Sequence, residues 1–415
     1  MKKNVWIINH YAGHMLFDKG GRHYNFSKYL KQADYEPVIF CANSKHGRAE
    51  KFFDTQDLWH IHAAEEIGVP WVFVTARTYM GNGTQRILNM VDFFRNVKKT
   101  AREYADRYGK PDVIYASSVH PLTLVAGIQL ARYFGVRCIC EVRDLWPESL
   151  VSYGIAGPYN LAVLALRWLE KWIYKKADAV VFTMEGAYEY IQEWGWEKVV
   201  PCSKVFCINN GVDLETFNYN REHYQIKDPD LDNPDICKIV YVGSIRQANP
   251  LEILLDVAKQ AADPRIKFLL WGTGDKVSAL QRQIEDERIE NVVLKGWVEK
   301  KYIPSIVSRA DYNYVGPGSA GINRFGISYN KLFEYFAAEK PLLMCLQSKY
   351  NPAEQFSCGL IWQTPKELQS LLKELPSPSV DKYAALCQGA KEAAKEYDFK
   401  NLTKKLLAVL EGTEE

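Results

Sequence analysis

The chain has no C-x-x-C pair, and its nine cysteines are an odd number, several of them inside apolar runs such as "RCICEV" and "KVFCIN". That pattern argues against a disulfide framework and predicts buried free thiols in a reducing compartment. No early apolar run is long enough for a spanning helix or a secretory leader, since "VWIINHY" is strand-length and "MKKN" leads straight into it. A cytoplasmic location is therefore expected, with peripheral attachment to the cytoplasmic face of a membrane left open. Excess charge is missing too: 52 Lys and Arg stand against 50 Asp and Glu, so nucleic acid is not an expected partner. There is no short-period repeat, which excludes a solenoid. G-x-G-x-x-G is absent after the first strand, and no acidic residue closes the second, "EPVIFCAN", which disfavours a dinucleotide oxidoreductase.

What is present is alternation. Short apolar runs, "NVWIINHY", "EPVIFCAN", "PWVFVTAR", "PDVIYASS", "RCICEVRD", "ADAVVFTM" and "KVFCINNG", alternate with helix-period segments such as "NFSKYLKQA" and "PLTLVAGIQLARYFG". Continuous apolar strands separated by helices indicate a parallel sheet covered on both faces. After "INNGVDLETF", the polar stretch "NYNREHYQIKDPDLDNPD" reads as a linker, its Asp residues as solvated charge. The alternation then restarts with "ICKIVYVGS", "IKFLLWGTG", "NVVLKGWV", "ADYNYVGP", "PLLMCLQ" and "GLIWQT". With 415 residues, more than one core is expected. The chain is predicted to be α/β, two Rossmann-like doubly wound domains facing a central cleft, over 1–208 and 209–395, with a closing helix over 396–415.

Ligands of open α/β sheets bind beyond the carboxyl ends of strands, at helix N-termini. That rule selects Gly20 and Gly21 before the first long helix, and His120 in "ASSVHPLTL", which is either structural or functional. It also selects Arg143 and Asp144 in "EVRDLWPESL", a salt bridge or an acceptor site. The Gly272–Gly274 pair reads as a tight turn. In "GISYNKLFEYFAAEKP", Glu334 stands among Leu332, Phe333, Tyr335 and Phe336, where a carboxylate needs a structural partner or a ligand. Ser328, Tyr329 and Asn330 would place backbone N–H groups where an anion could lie, with Lys331 adding charge. The segment "LALRWLEKWIYKKAD" mixes Trp168, Trp172 and Tyr174 with Arg167, Lys171, Lys175 and Lys176. It is either a membrane-facing surface or an ordinary buried face rimmed by cations.

In order and spacing, these motifs resemble the retaining nucleotide-sugar glycosyltransferases of glycosyltransferase family 4, which have the GT-B fold. The resemblance is carried by "KGGRHYNFSKYL", "EVRDLWPES", "EKWIYKKADAVVFT", "INNGVDLETF", "YVGSIRQANPLEILLDVA", "LKGWVEKKYIPSIVSRAD" and "NKLFEYFAAEKPLL". It implies an acceptor-binding N-terminal domain and a C-terminal domain that binds the nucleotide-sugar. Glu334 would bond the ribose hydroxyls, and the helix start at Ser328 and Asn330 would face the diphosphate. Arg246 would hold the diphosphate, with Lys331 replacing a family lysine whose place Asn249 takes. Backbone groups at Trp297 and Val298 would bond the base, although Trp297 could equally be core. Gly20 and Gly21 would border the donor, His120 would lie near its sugar, and Arg143 and Asp144 would face the acceptor. A second family glutamate falls on Gly326, or on Asn323 if the loop is aligned otherwise, so the sugar contact is altered. Gly316, Gly318 and Gly321 would let the backbone approach the sugar.

The implied activity is retaining transfer of a hexose or N-acetylhexosamine, UDP-linked in the simplest case, to a glycan or lipid-linked sugar in capsule or O-antigen synthesis. Neither a metal nor another cofactor is implied. Two alternatives stay open: a nucleotide-sugar 2-epimerase or phosphorylase of the same architecture, and a non-catalytic nucleotide-sugar-binding partner subunit.

Overall fold

The computed structural model describes residues 2–412 apart from 82, 119, 247–248, 318–319 and 347, so Gly318 lies outside the described residues. The chain divides into two compact units, residues 1–209 with 402–415 (unit 1) and residues 210–401 (unit 2).

Unit 1 is built on eight strands among the described residues: β1 (Lys3–Ile8), β2 (Tyr35–Ala42), β3 (Trp59–Ala64), β4 (Val69–Val74), β5 (Val113–Ser117), β6 (Arg137–Val142), β7 (Ala179–Phe182) and β8 (Val205–Cys207). Their order is β3-β4-β2-β1-β5-β6-β7-β8, and every neighbouring pair is parallel except β3 with β4. The central strands are buried along nearly their whole length, as a sheet covered on both faces requires. The antiparallel edge strand β3, "WHIHAA", is missing from the expected set. It is half exposed, with His60 and His62 where an apolar run would have marked a strand.

Helices pack closely on this sheet. Gly127 of the helix Pro121–Phe134 lies so near β5 that a Cβ there would stand 2.4 Å from the Ala116 Cβ. Pro121 opens that helix and Gly135, at φ 71°, closes it in the left-handed region. The C-terminal helix Phe399–Glu411 returns to unit 1: Tyr35 donates to Glu411 at 2.8 Å and Arg137 to the Leu410 carbonyl at 3.1 Å.

Unit 2 repeats the plan with six parallel strands among the described residues: β9 (Cys237–Val242), β10 (Ile266–Trp271), β11 (Val292–Gly296), β12 (Tyr312–Val315), β13 (Leu342–Met344) and β14 (Gly359–Ile361), ordered β11-β10-β9-β12-β13-β14. Ile239, Tyr241, Leu254, Phe268, Leu270, Tyr312 and Leu343 lie in its core.

The expected linker needs correction. Its first part continues the helix Leu214–His223. The aspartates that follow are tied down rather than merely solvated. Lys295 reaches Asp228 at 2.8 Å and Asp230 at 2.6 Å, Lys267 reaches Asp230 at 3.2 Å, and Arg309 reaches Asp232 at 2.7 Å. All nine cysteines are free thiols. Among the described residues no helix is long and apolar enough to cross a membrane.

Candidate functional site

At the carboxyl edge of unit 1, the turn through Gly20 and Gly21 opens the helix Arg22–Gln32, and Gly21 takes φ 98°, which favours glycine. The first two side chains of that helix point inward. Arg22 Nε donates to Glu141 Oε1 at 2.6 Å, while its other nitrogens reach the carbonyls of Asn209 at 2.6 Å and Ile208 at 2.8 Å. His23 Nε2 lies 3.0 Å from Glu141 Oε2, and Asn9 Nδ2 donates to His23 Nδ1 at 2.8 Å. Ser117 donates to Glu141 Oε2 at 2.6 Å, and the Tyr115 hydroxyl donates to Oε1. Burial alone would raise the Glu141 carboxyl, but Arg22 and His23 outweigh it and hold it well below the usual range. For His23 burial wins over Glu141, and its pKa is lowered. A neutral ring with Nε2–H toward Glu141 and Nδ1 accepting from Asn9 satisfies every contact.

Above this network, His10 follows β1 and His120 caps the helix after β5. His10 Nδ1 and His120 Nε2 are 2.7 Å apart, and both rings are buried. Burial pushes His120 down to about 3, and burial together with His120 holds His10 well below its ordinary value. The pair is neutral, one ring donating to the other. His120 Nδ1 has no hydrogen-bond partner among the described residues, and the outer side of His10 faces Asn89.

Arg143 and Asp144 follow β6. The Arg143 N–H donates to Ser118 Oγ at 3.0 Å, its Nε is buried without a partner among the described residues, and Asp144 is exposed. His120 and Arg143 therefore share one strand edge, held by the Ser118 loop.

In unit 2 the helix Asn330–Ala337 presents Lys331 and Glu334. Lys331 Nζ lies 3.3 Å from the Tyr241 hydroxyl, 4.4 Å from the centre of that ring and 3.4 Å from Asn249 Oδ1. The structure thus brings Lys331 to the loop after β9, and burial lowers its pKa to about 8. Glu334 still meets solvent on one side, but the dense protein around it raises its pKa, opposed by the charge of Lys300. Among the described residues its carboxylate has neither a hydrogen bond nor an ion pair.

The loop after β9 is pinned from below. A Cβ on Gly272 would stand 1.9 Å from the Gly243 carbonyl oxygen, and one on Gly274 would stand 2.0 Å from that of Ile245. These glycines let two strand-end loops touch backbone to backbone, which holds Arg246 exposed at the loop's tip. Beside it, a cavity of about 440 Å³ opens at the ends of β10 and β11, lined by Ile245, Leu270, Gly272, Val277, Gln281 and Gly296. Trp297, next in the chain, is 69% exposed and so is not core; Val298 is half-buried.

The remaining loop residues are engaged with the protein itself. Ser328 Oγ accepts from the Asn210 N–H at 2.9 Å, and its carbonyl accepts from Asn210 Nδ2 at 2.8 Å. Asn323 is buried and accepts from the Tyr329 hydroxyl at 2.8 Å. Gly326, at φ 118°, donates its N–H to the Asn323 carbonyl at 2.9 Å. Asn330 is exposed at the helix start, and the N-cap residue Tyr329 makes no side-chain capping bond.

The family description Glycosyltransferase Family 4 matches residues 22–216, from Arg22 of the buried network to the start of unit 2. That stretch resembles a glycosyltransferase family 4 domain. Two curated relatives align with the chain over about half its length. The probable glycosyltransferase WbjE of Pseudomonas aeruginosa is 28% identical over 199 residues, 47% of this chain and 47% of its own. A protein of Escherichia coli K12 named for colanic acid biosynthesis, glycosyl transferase WcaI, is 23% identical over 221 residues, 51% of this chain and 52% of its own. The chain thus spans about half the length of the curated relatives it matches. A solved structure similar over nearly the whole chain is that of Anabaena HepE in complex with UDP-glucose, with TM-score 0.65, 16% identity, and 98% and 99% of the two chains covered. The two α/β units are those of the GT-B fold.

Within the matched stretch, the sequence motifs "KGGRHYNF" and "RCICEV" drew attention but Arg22, His23 and Glu141 were not singled out. The signal was available: an acid inside an apolar strand demands partners, as it does for Glu334. His10 was less visible, since nothing in "INHY" marks it as the partner of a histidine 110 residues away.

Proposed function

We propose that the protein is a retaining glycosyltransferase. It would move a hexose or N-acetylhexosamine from a UDP-sugar to a glycan or lipid-linked sugar in surface polysaccharide biosynthesis. The observation that carries this reading is Glu334, a half-buried carboxylate without a protein partner among the described residues, three residues from a half-buried lysine on one helix. Two vicinal ribose hydroxyls are suited to such a carboxylate, because each can donate to one of its oxygens. Lys331 and exposed Arg246 would meet the diphosphate, and the cavity beside Gly296 would take the base. The names of the relatives and the UDP-glucose bound by HepE support the donor class.

In the proposed reaction, the bond from the anomeric carbon to the diphosphate oxygen breaks and one to the acceptor oxygen forms on the same face. The acceptor's proton passes to the departing phosphate. Cations at Arg246 and Lys331 would stabilise the charge that grows on the leaving group. At the carboxyl edge of unit 1, the neutral His10–His120 pair, Arg143 and Asp144 offer hydrogen bonds suited to sugar hydroxyls.

Thermal stabilisation by nucleotides tests the reading, since a ligand that binds only the folded state adds about 2.7 kcal/mol at a hundredfold excess over Kd. UDP is expected to raise Tm, and Glu334→Ala to abolish the rise. A rise that persists in Glu334→Ala would overturn the assignment of the ribose site. The anomeric configuration of the product, read by NMR, checks retention. UDP release without acceptor, yielding an isomerised sugar, would replace transfer with epimerisation.

A further inference from the structure

From Ser149 to Leu169 the sequence, "SLVSYGIAGPYNLAVLALRWL", contains one charged residue, Arg167. That guanidinium is buried and bonded to Glu148 at 3.0 Å, so the segment offers solvent no free charge. Yet much of it is at the surface. Tyr153, Ile155, Tyr159, Leu161, Leu164 and Trp168 are all exposed, Leu161 at 83% and Trp168 at 68%.

The helix Leu161–Lys176 explains how they line up. Val163, Arg167, Glu170, Ile173 and Tyr174 form its buried stripe. On the opposite face at helical spacing come Leu161, Leu164, Ala165 and Trp168, then half-buried Lys171 and Trp172, and then exposed Lys175. An outward helix face should be polar; this one is apolar for two turns and cationic in the last. The only acid between Ser149 and Ala177 is Glu170, which is buried and accepts from the hydroxyls of Tyr174 and Tyr190.

We propose that this face docks on an anionic lipid surface. Leu161, Leu164 and Trp168, with Ile155 and Tyr159 of the preceding loop, would enter the headgroup–acyl boundary, and Lys171, Lys175 and Lys176 would meet phosphate groups. Tyr and Trp suit that boundary because each has an apolar body and a polar edge. Self-association fits less well. Antiparallel packing of two copies would lay lysines on Leu161 and Leu164, and parallel packing would set lysines against lysines with no exposed acid on the helix to neutralise them. Of the two openings left by the sequence, the membrane-facing surface is the one favoured, with Trp168 on it and Tyr174 inside the fold. The proposal stands independently of the donor reading.

The test is co-sedimentation of the full chain with phosphatidylcholine vesicles, with and without phosphatidylglycerol. Binding to the anionic vesicles is expected, weakening as salt is raised. Lys175→Glu with Lys176→Glu should weaken it about tenfold or more, as each cation near an anionic surface contributes severalfold. Leu161→Gln with Leu164→Gln and Trp168→Gln should abolish binding even at low salt. All variants should keep the circular dichroism spectrum and Tm of the parent, which separates loss of docking from loss of fold. The proposal is overturned if the parent does not bind anionic vesicles, or if the triple variant binds as well as the parent. It is also overturned if the parent ignores vesicles but sediments as a dimer that the triple variant converts to a monomer.

Discussion

Two glutamates set in apolar sequence show what a partner changes. Glu141 accepts from Arg22, Tyr115 and Ser117 and contacts His23, and its carboxyl stays ionised despite complete burial. Glu334 has none of this. Replacing Glu141 with Gln leaves the Arg22 guanidinium without its counter-charge inside the fold. Such a loss typically costs about 3–5 kcal/mol. Glu334→Gln removes a carboxylate that is already penalised by its surroundings, so its effect on stability is expected to stay within about 0.5 kcal/mol. Urea unfolding of the two variants without ligand checks the contrast, and comparable losses would mean that Glu334 has a structural partner after all. Sequence alone marked Glu334 and passed over Glu141, although both break an apolar run. What differs is locality: the Glu334 motif is contiguous in one helix, whereas the partners of Glu141 come from two other segments, the start of the helix Arg22–Gln32 and β5, that only the fold assembles.

At the scale of elements, continuous apolar strands were legible throughout both sheets because a parallel sheet buried on both faces leaves little choice of residue. The failures share a cause. Edge strand β3 carries no apolar run, and the aspartates at 228–232 look solvated until Lys267, Lys295 and Arg309 arrive from distant parts of unit 2. The Gly272–Gly274 turn is a third case, a weak motif in sequence that becomes a strict steric requirement in the fold. Adding a methyl group at Gly272 would push it 1.9 Å from the Gly243 carbonyl oxygen, so the loop carrying Arg246 must move. Gly272→Ala is therefore expected to lower Tm and to weaken UDP binding about tenfold or more, because a displaced loop no longer holds its cation in place. Unchanged UDP affinity, measured by calorimetry, would separate that loop from the diphosphate site.

At the scale of the whole molecule, the histidines are unevenly divided. Seven of the eight lie in unit 1, and unit 2 has only His223. Three of those in unit 1, His10, His23 and His120, are buried and have lowered pKa values. An imidazole with a depressed folded pKa binds fewer protons folded than unfolded, so its stabilising contribution is complete above about pH 6.5 and is lost as pH falls toward the folded value. Glu170, pushed up to about 8, acts in the opposite sense: it holds a proton in the folded state that the unfolded chain releases above its ordinary pKa, so acidification favours folding. It offsets part of what the three imidazoles do, and Asp144, also raised by the dense protein around it, acts in the same sense as Glu170. The three imidazoles still outnumber these two carboxyls, so acidification below about pH 6.5 is expected to destabilise unit 1 on balance. Unit 2 carries no buried imidazole, and raised Glu334 would stabilise it slightly on acidification. A chain with two units can unfold in two transitions, and if the proposed donor site is right, UDP would mark the one belonging to unit 2 by raising it. Between pH 7 and pH 5 the UDP-insensitive transition should fall while the UDP-sensitive one holds. His120→Asn should flatten the falling limb, because one buried imidazole with a lowered pKa is then gone. If instead the UDP-sensitive transition fell with acid and the other held, the uneven distribution of buried imidazoles would not be what governs the acid response.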